Sequence, residues 1–417
     1  MRETMTADTP ASAVRGGWLD RLAFRLVDRQ LAALAAGRLT VLGPMGARSY
    51  GAGSDLAATV HVANPASYRS ALTGGTLAVA RGYVRGDWWT DDLVAACRIF
   101  ARNSSVTDGL EGGWARLAEA IGKLVDRSRR NTRRGSRRNI GAPYDLGNDI
   151  FRLILDDTLT YSCALFSDDV CTLGEAQFAK IDGLCDKLGL QPSDHLLEIG
   201  TGWGAFALRA ASQYGCRVTT TTVSEEQFNL ATARVREAGL ASRVTVLLRD
   251  YRDIRGTFDK LVSVEMIEAV GAEYLDTFFQ ACAERLAPGG RMALQAITVP
   301  DSRYPAYLRT TDFIRQDVFP GSCLVSSGAV AAAATATGRL TIDHVEDLTP
   351  HYARTLRVWR ERFVSRVDDV RRLGYSDAFI RRWEFYLAAC EAGFAESTTG
   401  LLQVTLSRSQ SASGSRA

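Results

Sequence analysis

Five short runs of aliphatic and β-branched residues between residues 195 and 297 predict the strands of a buried sheet. They are HLLEIG, CRVTTTTV, VTVLL, KLVSVEMI and RMALQAI, and helical stretches such as EEQFNLATARVREAG and YLDTFFQACAERLAPGG separate them. Because buried strands that alternate with helices are typical of a parallel sheet covered on both faces, we expect a doubly wound α/β domain. Ligands of such sheets bind beyond the carboxyl ends of the strands, so the loops after these runs are expected to carry the chemistry.

The N-terminal part of the chain has a different pattern. Between residues 17 and 37 apolar positions recur at helical spacing, while Arg21, Arg25 and Arg29 fall on the other side. The apolar positions are Trp18, Leu19, Leu22, Leu26, Val27, Leu31 and Leu34. RLTVL and ATVHVA alternate like strands, so residues 17–120 are predicted to form a small α+β domain. Its basic helix either packs on its own domain or lies on an anionic membrane.

A basic segment, DRSRRNTRRGSRRNIG, follows this domain and contains seven arginines between residues 127 and 138. It is either a solvated linker or a surface that contacts phospholipid headgroups. Nucleic acid is not expected, because no aromatic residues interleave with the arginines. The predicted boundaries are a disordered leader at 1–16, the linker at 121–140, a catalytic domain at 141–406 and a disordered tail at 407–417.

Composition narrows the class of protein. The 417 residues are 46% hydrophobic and 23% charged, as in globular proteins of two domains, and the net charge is only +3. The N-terminus has no apolar signal sequence, and GAVAAAATATG is too short to span a bilayer, so a cytoplasmic protein is expected. The eight cysteines are scattered without a C-x-x-C pair, which argues against disulfides and against a metal site.

A glycine-rich loop follows the first predicted strand of the catalytic domain. In EIGTGWGAFALRAA, Glu198 precedes Gly200, Gly202 and Gly204, where glycine lets the backbone turn tightly and approach a ligand. The G-x-G-x-G spacing lacks the end that suits a pyrophosphate, and a carboxylate two residues earlier suits a cationic ligand. S-adenosylmethionine therefore fits this loop better than a dinucleotide does.

Two further loops at strand ends offer partners for a nucleoside. TTTVSEEQ carries Thr222 and Gln227, and RDYRD carries Asp250 and Tyr251. A ribose needs polar partners for its hydroxyls, and an adenine needs a polar edge contact and a flat neighbour. Each of these residues alone is as consistent with an ordinary helix cap or turn as with a cofactor contact. The three loops together strengthen the prediction of a nucleoside cofactor.

Cys163 lies in the short apolar run TLTYSCALF, before the glycine loop. Half a disulfide, a metal ligand, a covalent nucleophile and the wall of a pocket are the four hypotheses for it. The cysteine pattern disfavours the first two. A nucleophile needs an adjacent base, and none of the four histidines falls in the strand-end loops.

The chain resembles the cyclopropane-fatty-acyl-phospholipid synthases and their relatives that modify mycolic acids or install methyl branches. The resemblance covers about residues 139–406 and, more weakly, 38–105. The resemblance rests on segments that include PYDLGNDIFRLILDDTLTYSCALF, LLEIGTGWGAFA, RDYRDIRGTFDKLVSVEMIEAVG, LQAIT, FPGSCL and PHYARTLRVWRERF. It implies a Rossmann-like class I S-adenosylmethionine methyltransferase domain after the small α+β domain.

The resemblance also implies the site. The residues implied to line the S-adenosylmethionine site are Tyr161, Ser162, Gly200, Gly202, Thr222, Gln227 and Tyr251. Cys163, Glu268, Ile297 and Tyr386 are implied to surround a bound bicarbonate, which makes Cys163 a pocket wall. Methyl transfer to an isolated double bond leaves a carbocation, and an anion can stabilise it and then remove a proton.

Many family members have histidine at three positions where this chain has Pro143, Ala269 and Gln295. A glutamine can still donate to an anion, so Gln295 stays a candidate catalytic residue. A less basic or looser anion would leave time for a hydride shift, which gives an exocyclic methylene instead of a ring. Methyl-branching relatives have a similar glutamine turn, so the product stays open.

The resemblance makes cyclopropane formation on unsaturated phospholipid acyl chains the leading expectation for function. The rivals are methylenation on the way to a 10-methyl fatty acid, N-methylation of a small amine, and a lipid-binding protein without activity. The basic helix and linker favour a membrane substrate, with the protein on the inner face of the cell membrane. The oligomeric state is left open, a homodimer included.

Overall fold

The computed structural model describes residues 16–53, 55–103, 106, 131–132, 135, 147–167 and 171–410. The predicted leader as far as residue 15, the seven linker arginines, Pro143 and the tail from residue 411 lie outside the described residues. The predicted boundaries of the leader and linker therefore stay predictions, whereas the predicted start of the tail at residue 407 is wrong, because Ser407 and Arg408 pair with a neighbouring strand.

The chain divides into two compact units, residues 1–123 with 375–392 and residues 124–374 with 393–417. The segment 375–392, which the sequence analysis placed in the catalytic domain, groups with the first unit. The first unit therefore includes a segment that lies more than 200 residues further along the chain than its N-terminal part.

The first unit contains a four-stranded sheet in the order β2-β1-β3-β4, in which β1 and β3 are parallel. Its N-terminal elements are α1 Trp18–Leu31, β1 Arg38–Gly43, β2 Gly46–Tyr50, β3 Ala57–Val62, α2 Ala66–Arg85, β4 Trp88–Thr90 and α3 Leu93–Arg102. Asp92 caps α3 by accepting a hydrogen bond from the amide of Ala95. The strands predicted from RLTVL and ATVHVA are present as β1 and β3.

Helix α1 is present, but its predicted apolar face is only partly correct. Val27 and Leu31 are buried with Ala23, whereas four of the apolar residues assigned to that face are exposed. The four are Trp18 (69% exposed), Leu19 (44%), Leu22 (48%) and Leu26 (45%). Since Arg21, Arg25 and Arg29 are exposed as well, α1 presents both apolar and basic side chains to solvent.

The second unit contains a seven-stranded sheet in the order β10-β11-β9-β8-β5-β6-β7. Strands β5 to β9 are parallel and correspond to the five predicted runs, while β10 and β11 are antiparallel and were not predicted. The first elements of this unit are α4 Asn148–Ile154, α5 Leu173–Leu188, β5 His195–Ile199, α6 Ala205–Gln213, β6 Arg217–Thr222, α7 Glu225–Glu237, β7 Val244–Leu248 and β8 Phe258–Val264. The later elements are α8 Leu275–Arg285, β9 Leu286–Thr298, α9 Ser327–Ala336, β10 Leu340–Asp347, α10 Thr349–Ser365, α11 Val367–Arg372 and β11 Gly400–Arg408. The helix Asp377–Ala395, α12, belongs to the first unit through Ala392.

Two hydrophobic layers cover the seven-stranded sheet. Phe278 and Phe279 of α8 pack on one side with residues of α9, and Leu184 of α5 and Phe206 of α6 pack on the other. Because β5 lies between β8 and β6, its carboxyl end opens where the chain passes from one face of the sheet to the other. Ligands of doubly wound folds bind at this point. Among the described residues no helix is long and apolar enough to cross a membrane.

Candidate active site

The glycine loop after β5 has the backbone conformation that its sequence requires. Gly200, Gly202 and Gly204 have φ values of 107°, 51° and 90°, which side chains of other residues rarely allow. A Cβ atom on Gly200 would lie 3.0 Å from the Cβ of Met266, so this glycine permits close packing. A Cβ atom on Gly202 would meet nothing within 4 Å. The loop therefore faces open space at Gly202.

A cavity lies at the carboxyl ends of the strands, beside this loop, and Gly200 of the loop lines it. Its lining includes Gly200, Thr222, Asp250 and Tyr251 from three loops predicted to bind the cofactor. The sequence analysis missed other wall residues, namely Ile199, Thr221, Val223, Arg249, Arg252, Met266, Ala269, Val270 and Asn131. The three loops thus meet at one cavity, as the parallel sheet predicts.

Several of the predicted cofactor partners are engaged with other side chains. The hydroxyl of Thr222 donates to Oε1 of Gln227 at 2.8 Å. The buried carboxylate of Asp250 accepts two hydrogen bonds from the guanidinium of Arg252, at 2.8 and 2.7 Å. The hydroxyl of Tyr251 is buried without a hydrogen-bond partner in the described structure. Tyr251 therefore offers an unused polar group to a ligand, while Asp250 orients Arg252.

Tyr161 and Ser162 lie before Cys163 in a buried part of the second unit. The ring of Tyr161 stacks on Trp359, with ring centres 4.9 Å apart. The hydroxyl of Ser162 accepts a hydrogen bond from Nζ of Lys180 at 2.7 Å. Lys180 is 1% exposed, and burial lowers its pKa to about 8. The sequence analysis missed this lysine because it lies within a helix, away from the strand ends.

Glu198 is buried at the end of β5, beneath the glycine loop. Burial raises its pKa to about 8, although a hydrogen bond to Thr220 and the charge of Lys180 oppose the rise. Its Oε2 atom has no hydrogen-bond partner among the described residues. A cationic ligand in the adjacent cavity would favour the ionised form of this carboxyl group.

Cys163 is 1% exposed and its thiol donates to the carbonyl of Ala164 at 3.3 Å. The sulfur also lies 3.8 Å from the hydroxyl oxygen of Thr355. Burial, with the charge of Glu265, raises the pKa of the thiol well above its usual value. A neutral, enclosed thiol fits the wall of a pocket better than a nucleophile.

Glu265 is the principal site residue that the sequence analysis missed. Its Oε1 accepts hydrogen bonds from the amide of Cys163 at 2.9 Å and from Nε2 of Gln295 at 2.7 Å. Its Oε2 accepts a hydrogen bond from the hydroxyl of Tyr352 at 2.5 Å. Burial raises the pKa of Glu265, while these three donors and the charge of Lys180 oppose the rise. A carboxylate directly after β8, in KLVSVEMIE, was the sequence signal that could have revealed it.

Glu268 lies three residues after Glu265, in the short 3₁₀ helix Ile267–Ala269. Its Oε1 accepts a hydrogen bond from the amide of Ile297 at 2.6 Å, and its Oε2 is buried without a partner in the described part of the chain. Burial, followed by the negative charge of Glu265, raises the pKa of Glu268 to about 8. Glu268 and Ile297 are thus in contact, while their predicted place around a bound anion stays a prediction.

Gln295 is fully buried and connects Glu265 to a chain of polar side chains. Its Oε1 accepts a hydrogen bond from Nε2 of Gln403 at 2.8 Å. Gln403 in turn accepts from Lys187, which is paired with Glu346. Because Gln403 donates to the oxygen of Gln295, the amide nitrogen of Gln295 is directed at Glu265.

Tyr386 lies on α12, in the first unit, and is 7% exposed. Its ring lies at right angles to that of Trp383, with ring centres 5.6 Å apart. Its predicted place beside an anion with Cys163 stays a prediction. No group of three or more histidine, cysteine or acidic side chains in the described ranges is arranged to hold a metal ion.

The seven-stranded sheet, the glycine loop after β5 and the cavity at the strand ends define a class I S-adenosylmethionine-dependent methyltransferase. The crystal structure of mycolic acid cyclopropane synthase CmaA1 complexed with SAH and CTAB is similar, with a TM-score of 0.61 and 35% identity. The match covers 65% of this chain and 98% of that chain.

Sequence comparison gives the family. The family model described as mycolic acid cyclopropane synthetase matches residues 131–404. Tuberculostearic acid methyltransferase UfaA1 of Mycobacterium tuberculosis is 40% identical over 343 residues, which is 80% of this chain and 79% of the relative. Cyclopropane-fatty-acyl-phospholipid synthase of Escherichia coli K12 is 33% identical over 353 residues, 84% of this chain and 88% of the relative. The chain belongs to the mycolic acid cyclopropane synthetase family and is a methyltransferase.

Proposed function

We propose that this methyltransferase transfers one carbon from S-adenosylmethionine to the cis double bond of an unsaturated phospholipid acyl chain. The observation that carries the proposal is the pair of carboxyl groups of Glu265 and Glu268. Met266 and Ala269, which follow them directly, line the cofactor cavity. Methylation of an alkene produces a carbocation, and negative charge in an apolar wall stabilises it. The names of the relatives, which refer to lipid methylation and cyclopropanation, support the same substrate class.

The residues present fit S-adenosylmethionine. Open space in front of Gly202 allows the backbone to approach the cofactor, and the Tyr251 hydroxyl, which has no partner among the described residues, can bind a polar group of it. Glu198 lies beneath the loop with an unpartnered oxygen and would balance the positive charge. When bound, S-adenosylmethionine supplies an electrophilic methyl group on a sulfonium.

The chemistry then requires a base. The π electrons of the double bond form the new C–C bond as the S–CH₃ bond breaks, so the positive charge moves to the neighbouring carbon of the acyl chain. Loss of a proton from the new methyl group with ring closure gives a cyclopropane. A hydride shift followed by loss of a proton from the same methyl group gives an exocyclic methylene. Both routes release one proton to a base in the site.

We favour the methylene product, with cyclopropane as the second candidate. Gln295 places a neutral amide where many family members have histidine, and this amide is held between Gln403 and Glu265. The similarity to a tuberculostearic acid methyltransferase supports the methylene route. The similarity to a cyclopropane-fatty-acyl-phospholipid synthase supports ring closure.

The bicarbonate that the family resemblance implies does not fit the residues present. The amide of Cys163 donates to Glu265, and the amide of Ile297 donates to Glu268. The backbone amides of two residues that the resemblance places around the anion are thus engaged by carboxyl groups of the chain itself. No step of the proposed reaction depends on bicarbonate.

The exposed face of α1 supports access to lipid at a membrane surface. Trp18, Leu22 and Leu26 recur at intervals of four residues and are exposed, and exposed arginines accompany them. Apolar side chains can enter the headgroup region while arginines contact anionic lipids. We therefore place the protein on the inner face of the cell membrane, as a peripheral protein.

Mass spectrometry of lipids tests the function. The protein is produced in a bacterial host that contains unsaturated phospholipids and is fed methionine with a deuterated methyl group. We expect acyl chains that have gained one carbon with two of its three deuterium atoms, and none with a Glu198→Gln, Gly202→Val control. Proton NMR of chains purified from parallel cultures fed unlabelled methionine separates ring protons from terminal alkene protons. Unchanged acyl chains, or label only in small amines, would refute the proposed substrate.

A further inference from the structure

We propose that the carboxylate of Glu265 is the anion that stabilises the substrate cation and removes its proton, in the place of an external bicarbonate. This inference rests on the proposed function, because it names the base of that reaction. The hydrogen bonds in the described structure do not match the anion site that the family resemblance implies.

The hydrogen bonds of Glu265 are those expected of a bound anion. The amide of Cys163 and the side-chain amide of Gln295 converge on Oε1, at 2.9 and 2.7 Å. The resemblance assigns Cys163 to the wall of the bicarbonate site, and the sequence analysis assigned an anion-binding role to Gln295. The chain's own carboxylate uses both donors. An external anion at the same donors would have to displace it.

The backbone of Glu265 indicates that this placement is specific. Its φ of 47° lies in the left-handed region, which it shares with two other non-glycine residues of the described chain, Leu159 and Ser397. Such a conformation costs free energy for a residue with a side chain, and glycine would adopt it without strain. The three hydrogen bonds to the carboxylate compensate for this strain. Strained residues held by such contacts concentrate at functional sites.

One acceptor position of the carboxylate remains for a proton. Oε1 already accepts two hydrogen bonds, whereas Oε2 accepts one, from Tyr352. A carboxylate oxygen can accept two, so Oε2 can take a proton from the substrate. Part of the surface of Glu265 stays accessible, and Met266 beside it lines the cofactor cavity.

Glu268 is suited to the protonated, neutral state. Burial and the charge of Glu265 raise the pKa of Glu268 to about 8, and among the described residues the amide of Ile297 donates to its carboxyl group. Glu265 has three donors and the positive charge of Lys180 nearby. Because two adjacent carboxyl groups do not both ionise readily, Glu265 carries the charge and Glu268 the proton at neutral pH.

The proton transfer balances as follows. After the methyl group has formed its bond to the acyl chain, a C–H bond of that methyl group breaks and its electron pair forms the ring bond or the new double bond. The proton moves to Oε2 of Glu265, which becomes a neutral carboxyl group. It is released to solvent before the next turnover, which restores the carboxylate.

Substitutions that empty or fill the position of the carboxylate test the proposal. Activity is measured as transfer of a labelled methyl group from S-adenosylmethionine to phospholipid vesicles, in buffer freed of carbon dioxide and in the same buffer with bicarbonate or formate. We expect the parent enzyme to be equally active in all of these buffers. Glu265→Gly should lose at least about a hundredfold in turnover, the scale of a lost general base, and regain activity with bicarbonate or formate.

Two control variants separate charge from shape. Glu265→Gln keeps the volume of the side chain without a basic oxygen, so we expect it to be inactive and not rescued by either anion. Ser397→Gly relieves the same kind of backbone strain at an exposed position, where φ is 54°. It should behave as the parent enzyme does. Binding of S-adenosylhomocysteine, measured by calorimetry, should stay close to the parent value in all three variants.

The proposal has outcomes that overturn it. Loss of parent activity on removal of bicarbonate would do so, as would full activity of Glu265→Gly without any added anion. ¹³C NMR of labelled bicarbonate adds a measurement that needs no turnover: we expect saturable binding to Glu265→Gly and none to the parent enzyme. Saturable binding to the parent would overturn the proposal even if no lipid is methylated, whereas absence of lipid methylation alone refutes the proposed function.

Discussion

Gly202→Ala is a direct test of how the glycine loop holds the cofactor. The φ of Gly202 is 51°, and a Cβ atom there would meet no protein atom within 4 Å. The substitution therefore creates no clash in the protein and costs only the left-handed conformation, about 1–2 kcal/mol. If the open space is the cofactor's, the added methyl group overpacks it by about 1–3 kcal/mol. The Kd for the cofactor should then rise roughly 5- to 150-fold.

A matched control separates the two costs. Gly239, at the end of α7, has a φ of 69° and also has no atom within 4 Å of an added Cβ. Gly239→Ala should therefore lower the Tm by a similar few degrees, at about 2–4 °C per kcal/mol, without a change in cofactor affinity. Calorimetric titration with S-adenosylhomocysteine measures the affinity, and thermal denaturation measures stability. Equal affinity of Gly202→Ala and Gly239→Ala would refute the placement of the cofactor at this loop.

Two other predictions concern pH and membrane binding. The pKa of Glu268 is raised from 4.5 to about 8 in the folded protein. Between these two pH values the folded protein keeps a proton that the unfolded chain releases. The proton on Glu268 therefore contributes fully to the stability of the fold below pH 4.5, and this contribution is lost as the pH rises through about 8. The Tm of the parent should fall more steeply over this range than that of Glu268→Gln, and parallel curves would contradict the assignment. Replacing Arg21, Arg25 and Arg29 by glutamine should weaken binding to anionic vesicles by up to about 3 kcal/mol at low salt, since each basic residue contributes about 1 kcal/mol. Co-sedimentation that is insensitive to salt and to these substitutions would argue against α1 as a membrane contact.

The sequence alone determined the elements whose signals are local. Short runs rich in aliphatic and β-branched residues predicted β5 to β9, because these residue types favour strands buried on both faces. The glycines at 200, 202 and 204 predicted the cofactor loop because a backbone with positive φ needs them. The parallel order then implied that Thr222 and Tyr251 lie at the same end of the sheet, and both line the cavity.

Only the tertiary structure decided which groups meet at the carboxylate site. Glu265 is 102 residues from Cys163, 30 from Gln295 and 87 from Tyr352, yet it is hydrogen-bonded to all three. Local periodicity carries no information about such contacts, because they depend on how β8, β9 and α10 pack. Likewise, the apolar pattern of α1 could not show which of its leucines would be buried. Burial is set by the neighbours that the fold brings to each face, whereas a strand or a turn is set largely by the residues within it.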